Sequence, residues 1–359
     1  MPIPPKVHGR GAQSAAVPQR FGLASREADG DWLDAREDLD GPGPKLRTTV
    51  TEEKARSILS FNQSPDVPFD RSVNAYRGCE HGCIYCYARP THAYHDLSPG
   101  LDFETKLFAK PDAAALLRKT LAKPGYKVAP IAMGTNTDPY QPIEGRYRIT
   151  RQVLELCLET RHPVTITTKS ARVVRDIDLL TELARLNLVA VGISVTSLDP
   201  RLSGLLEPRA SAPAKRLEAL GQLAAAGVPS HVGVAPVIPS ITDEFIEGIL
   251  SEAGQRRVQT ASWIMLRLPH EVAPLFREWL EVHFPDRAAK VMGIVQSVRN
   301  GKDNDPGFFT RMKPLGPWAD LFRHRFRLAC KRSGLNQVKQ QLDCTLFSPP
   351  AMDGQLKLL

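Results

Sequence analysis

From about residue 70 the chain alternates short β-rich apolar runs with longer stretches in which apolar residues recur every three or four positions. The runs Ser72–Tyr76, Pro130–Gly134, Val164–Thr168, Val189–Thr196, His231–Val237 and Ser262–Leu266 have strand length and composition. Predicted helices fill the gaps. One follows Pro111, a residue favoured in a first helical turn, and another carries Val153, Leu154, Cys157 and Leu158 on one face. Asp176–Leu186 is a third; a fourth starts near Pro213, has Leu217, Leu220 and Leu223 as its stripe and stops at Gly227. A fifth takes Thr242 as N-cap ahead of Phe245, Ile246, Ile249 and Leu250. Repeated strand–helix units predict a parallel sheet with right-handed crossovers. Six units fall short of a closed eight-fold barrel, so the expected fold class is α/β, a partial (β/α)6 TIM-like barrel.

Polar residues gather where these strands end, the edge at which parallel barrels hold their chemistry. Cysteines follow the first strand, Thr135-Asn136-Thr137-Asp138 the second and Lys169 the third, while Ser194 lies near the end of the fourth. This ordering predicts one site at the carboxyl edge of the sheet.

Three segments result. Residues 1–60 mix Pro, Gly, Arg and short acidic runs without periodicity and are expected to be mostly disordered, with a short docking stretch around Arg47–Leu59. Residues 61–297 form the barrel core. Residues 298–359 are a basic C-terminal extension whose one amphipathic helix, Trp318–Ser333, sets Trp318, Phe322, Phe326 and Ala329 beside Arg323, Arg327 and Lys331. Of the formal net charge of +8, most lies in residues 299–332, where nine Lys or Arg face three Asp. Such a run attracts nucleic acid or is a solvated helix face, and composition does not separate the two. No apolar run approaches the roughly 18 residues of a membrane helix, and the N-terminus lacks a secretory pattern, so no membrane and a cytoplasmic address are expected.

Six cysteines in 359 residues are too few for a disulfide framework, and three of them crowd into one loop, Arg77-Gly78-Cys79-Glu80-His81-Gly82-Cys83-Ile84-Tyr85-Cys86-Tyr87. A C-x3-C-x2-C spacing lets three thiolates converge on an iron–sulfur cube, leaving one iron open to a small molecule. Gly78 and Gly82 permit tight turns beside it. The alternative is a closed zinc site completed by His81, His92 or His95, in a non-catalytic nucleic-acid-binding protein, although no second pair of cysteines follows.

With Tyr85 in the aromatic slot, this motif after the first strand of a partial barrel resembles the radical S-adenosylmethionine (SAM) superfamily. More narrowly, the chain resembles its spore photoproduct lyase-like branch, often labelled DNA repair photolyase, through RGCEHGCIYCYARP, Gly134–Glu144, Thr167–Leu180, Gly192–Ser197, Glu207–Arg216 and Val232–Pro239. The likeness spans about residues 65 to 270.

The resemblance implies a partial barrel of the radical SAM type and a [4Fe-4S] cluster on Cys79, Cys83 and Cys86, with S-adenosyl-L-methionine on the open iron. It further implies a one-electron reductant such as flavodoxin or ferredoxin, and a 5′-deoxyadenosyl radical that abstracts hydrogen from a substrate not yet identified, DNA or RNA being candidates. Position by position it puts Tyr85 near the adenine, Thr137 and Asp138 near the SAM amino group, Lys169 on a carboxylate and Ser194 on the methionine or ribose part. Glu207 and Arg209 hold substrate or pair with each other. Tyr140 and Glu144 are the catalytic candidates, Tyr140 lying at the mouth as a hydrogen relay, a stacking ring or a loop anchor. One departure bears on the substrate. Where spore photoproduct lyases carry a hydrogen-donating cysteine this chain has Thr135, whose O–H bond is too strong for that task, so thymine-dimer repair is not carried over. Cys157 lies on a buried stripe, and Cys330 and Cys344 lie in the extension.

Overall fold

A computed structural model describes Val7, residues 9–15 and residues 46–351. Its strands are β1 (Thr49–Glu52), β2 (Leu59–Phe61), β3 (Arg71–Val73), β4 (Tyr76–Arg77), β5 (Lys106–Ala109), β6 (Ile131–Met133), β7 (Val164–Thr168), β8 (Val189–Ser194), β9 (Ser230–Val237) and β10 (Thr260–Met265). Seven of them form one sheet in the order β10-β9-β8-β7-β6-β3-β2. The six from β3 to β10 are parallel, and only β2 runs antiparallel, hairpinned onto β3. These six are the predicted strands. The first is shorter than expected, because the chain turns after Val73 and Tyr76–Arg77 joins β1 and β5 in a separate small sheet.

The helices Ala113–Leu121, Ile149–Glu159, Ile177–Arg185, Pro213–Ala225 and Ile246–Gln255 share one core with the sheet. Each brings a stripe: Leu217, Leu220 and Leu223 are buried on the fourth, a burial worth about 1.5–3 kcal/mol per side chain. That helix ends before Gly227, whose φ of +75° is the left-handed stop expected there. Thr242 does not cap its helix. Its hydroxyl instead accepts from the Ile238 amide at 2.8 Å, closing the turn after β9, and Ile246–Gln255 begins only after a 3-10 turn.

A second core lies at the carboxyl edge. There Ile84 of the cysteine loop packs with Leu202, Leu206, Met265 and Leu266 and with the helices Val272–His283 and Pro285–Ser297, two helices not foreseen from the sequence. The extension helix, Pro317–Arg332, rests on the barrel through Phe322, which contacts Trp263 of β10 and stacks on Trp318. Beyond it Asn336 pairs with both backbone groups of Ala261 and so covers the exposed edge of β10.

Most of residues 1–60 lie outside the described residues. The described part is docked: Arg10, Gly11, Ala12 and Gln13 are buried, and β1 and β2 belong to the two sheets. The basic run 299–332 is not one face. Arg299 is buried, Arg311 pairs with Asp66, Arg325 with Glu247 and Arg323 with Asp320.

Candidate active site

The cysteine loop leaves β4 at Gly78 and returns through the 3-10 turn Arg89–His95 and the helix Leu101–Thr105 to β5. Its two glycines are obligatory. Gly78 and Gly82 sit at φ +71° and +67°, and a Cβ would lie 2.7 Å from Leu107 Cδ2 in the first case and 2.7 Å from Glu104 Oε2 in the second. Arg89, fully buried, gathers the loop's carbonyls: it donates to Cys83 O at 2.9 Å, Gly82 O at 3.1 Å, and Pro99 and Gly100 O at 3.0 and 2.9 Å. Its charge is met by Glu104, also fully buried, at 2.5 Å. The other side of the loop is read by Gln141, which donates to Gly78 O and Thr137 Oγ1 and accepts from the Glu80 amide at 2.9 Å.

Cys79 and Cys83 are buried and Cys86 partly so. Burial pushes the Cys79 and Cys83 thiols well up, with neighbouring Asp138 adding to the first and Glu207 to the second, while Lys169 and Arg216 oppose it at Cys83. Thiols so placed ionise only against positive charge, which iron supplies. The histidines of the zinc alternative point elsewhere. His81 faces Asp138 at 3.3 Å, His92 bonds Lys106 O at 2.8 Å and packs on Phe103, and His95 packs on Phe108. Among the described residues no three His, Cys, Asp or Glu side chains converge on a single-ion position. The set of donors fits a cluster spread over three thiols.

Around the loop, Tyr85 is buried with its hydroxyl donating to Glu207, and Lys169 Nζ lies 5.7 Å from its ring centre. Ser194 is buried, and its carbonyl accepts from Arg216 at 3.0 Å. Asp138 accepts from Thr168 Oγ1 at 2.6 Å, the Lys169 amide at 2.7 Å and the Tyr140 amide at 2.9 Å. Burial alone would raise its pKa; the His81 ring and these donors outweigh it and hold the group at about 2. Thr137 donates to Gly78 O at 2.6 Å. Tyr85, Thr137, Asp138, Lys169 and Ser194 thus border the cysteine loop, with Thr137 and Asp138 bracing the chain itself.

Two expectations are corrected. Tyr140 is fully buried, not at the mouth, and donates to Asp176 Oδ2 at 3.1 Å. Glu144 lies in the same buried network, accepting from Tyr76, from the Thr150 amide at 3.1 Å and from Arg175 at 2.7 Å. Both carry apolar or ion-paired surroundings in place of a solvent-facing edge. Glu207 and Arg209 do not pair with each other: Glu207 pairs with buried Arg216, and Arg209 with Glu80 at 2.7 Å. Sequence reading missed Arg89, Glu104, Arg216 and the loop-reading role of Gln141. The only signal was that arginines and acids occur inside otherwise apolar or Gly-rich blocks. Thr135, two residues past the end of β6, is half-buried and exchanges hydrogen bonds with Asn74, and its carbonyl accepts from the exposed Tyr87 hydroxyl.

The model of the Radical SAM superfamily matches residues 73–253. An uncharacterized protein of Mycobacterium tuberculosis is 37% identical over 246 residues, 67% of this chain and 72% of that protein. An uncharacterized protein of Methanocaldococcus jannaschii is 27% identical over 237 residues, 66% of this chain and 84% of that one. Among solved structures, a spore photoproduct lyase mutant with bound AdoMet and dinucleoside spore photoproduct shares the fold at a TM-score of 0.57 and 16% identity, covering 87% of this chain and 86% of that one. The family match spans half of the chain and coincides with the strand-end geometry around the cysteine loop: the chain is an enzyme of the radical SAM superfamily.

Proposed function

We propose that Cys79, Cys83 and Cys86 hold a [4Fe-4S] cluster whose open iron takes S-adenosylmethionine, and that the enzyme acts on a substrate admitted at the carboxyl edge of the sheet. When bound and reduced by one electron, from a flavodoxin- or ferredoxin-type donor, this pair supplies a carbon radical able to abstract hydrogen. The protein's part is placement. Arg89, Glu104 and Gln141 fix the loop that presents the thiolates. Lys169, near Cys83 and above the Tyr85 ring, offers an ammonium to a carboxylate, and Asp138, held anionic, offers negative charge to an ammonium. Tyr85 and Ser194 line the same side. Because a spore photoproduct lyase of the same fold is complexed with a dinucleoside spore photoproduct, nucleic acid is the substrate class of first choice, with Thr135 setting this chain apart from thiol-based hydrogen return.

The carrying observation is the set of three thiols on one glycine-kinked loop that an internal Arg89–Glu104 pair holds in shape. Anaerobic incubation with SAM and a strong reductant tests it. The reconstituted protein is expected to release 5′-deoxyadenosine, and Cys83→Ala to release none; release by that variant at the unmodified rate refutes the assignment.

A further inference from the structure

The segment after the helix Pro285–Ser297 touches loops at both edges of the sheet. Arg311 pairs with Asp66, in the β2–β3 turn, at 2.7 Å, and the Phe309 amide bonds the same carboxylate at 3.2 Å. On the opposite edge, Arg299 donates to Leu266 O at 2.7 Å and to Arg311 O at 3.2 Å. Residues 303–315 therefore form a strap from the end of β10 to the β2–β3 turn, linking the loops of the two edge strands. Arg267, the second residue after β10, lies under this strap. Among the described residues its Nη1 meets only the Met312 thioether, at 3.3 Å, and its Nε is buried without a partner. Arg299, 4% exposed, has an unpartnered buried Nε as well.

Three guanidinium groups meet here. Of the carboxylates, Asp66 is committed to Arg311, and Asp305 bonds the Gly307 amide at 2.8 Å. Burial drives the Arg267 guanidinium below its ordinary value, with Arg311 adding to the effect, and brings Arg299 down to about 10 with Arg267 contributing. The charge of Arg267 also reaches Tyr87, the residue that follows Cys86. A half-buried guanidinium just past the carboxyl end of β10, with a thioether on Nη1 and a buried Nε left open, suits a bidentate oxyanion.

We propose that Arg267, backed by Arg299, is a subsite for a phosphoryl group of the substrate, at the rim of the site beside Tyr87. A phosphoryl group suits it better than a carboxylate because the strap that touches it also carries aromatic faces for a base: Phe308 and Phe309 are 53% and 54% exposed, and Arg311 lies 5.0 Å from the Phe308 ring centre. The proposal rests on reading the mouth as the substrate entrance.

Calorimetric titration of the full, reconstituted chain with inorganic pyrophosphate tests it, in parallel with a short single-stranded oligothymidylate. Saturable pyrophosphate binding is expected, weakened about tenfold or more in Arg267→Gln, the loss of one charge-assisted pair, and partly restored in Arg267→Lys. Lys215→Gln, on a remote exposed helix turn, should bind as the unmodified chain does. Tighter binding of the oligonucleotide, lost in a Phe308→Ala, Phe309→Ala variant, identifies the phosphate as part of a strand; equal binding identifies a small phosphorylated molecule. No saturable binding to the folded chain, or binding unchanged in a folded Arg267→Gln, overturns the proposal. SAM cleavage without substrate is measured on the same preparations, so a failed subsite with intact cleavage leaves the radical reading standing, and the reverse result refutes only that reading.

Discussion

At Gly82 the backbone occupies the left-handed region, and the space where a side chain would start belongs to Glu104 and Pro208. Gly82→Ala combines a strained φ with a clash against a buried carboxylate. It should lower stability by about 1–3 kcal/mol and reduce the iron taken up on reconstitution; thermal unfolding and iron assay check both. Single residues of this kind were readable from sequence because the chemistry demands them locally: cysteine spacing and glycines between cysteines need no tertiary information. Residues whose meaning is set by distant partners were not. Tyr140 follows Pro139 in a loop and looks exposed by composition, yet Asp176 and Arg175, more than thirty residues on, bury it. Glu207 stands two positions from Arg209, but its partner is Arg216, one helix turn into the following helix, because that guanidinium can also reach Ser211 O and Ser194 O.

At the scale of elements, the strands and the helices with clean stripes were legible, since a three-to-four-residue period fixes one buried face. The helices Val272–His283 and Pro285–Ser297 had the same signal, in Val272, Leu275, Phe276, Trp279 and Leu280 for the first and Val291, Met292 and Val295 for the second, stripes left unused. The N-terminal arm had none. Gly11 and Ala12 give their amides to Glu104 at 3.0 and 2.8 Å, and a Cβ on Gly11 would fall 1.7 Å from Gly82 O, so the arm lies directly on the cysteine loop. Such docking depends on a pocket assembled from residues 82 to 104, and low-complexity sequence does not announce it. Glu104 therefore holds both Arg89 and the arm. Glu104→Gln leaves a buried guanidinium without its counter-charge and should cost about 3–5 kcal/mol; denaturant unfolding checks it, and a loss below about 1 kcal/mol contradicts the pairing.

Across the whole molecule, acid sensitivity follows from buried imidazoles. Burial holds His92, His162 and His231 down to about 4, against an ordinary value near 6.5. Their folded pKa values are depressed, so the stability they contribute is complete above about pH 6.5 and is lost as pH falls toward 4, when the unfolded chain takes up protons the folded one refuses. For the fully buried His92 and His162 this amounts to about 3 kcal/mol each. Unfolding midpoints measured from pH 7 to 4 should fall steadily, and a flat profile would contradict it. The architecture around these groups was legible as a partial parallel barrel, but not its seam, because the strap joins residues 66, 267 and 311, which no local pattern connects. The central claim is that Cys79, Cys83 and Cys86 share a four-iron cluster with one iron left for SAM. Anaerobic reconstitution followed by electron paramagnetic resonance of the reduced protein tests it most directly. The account predicts about four irons per chain and a signal that changes on adding SAM; iron-free protein, or a signal indifferent to SAM, would contradict it.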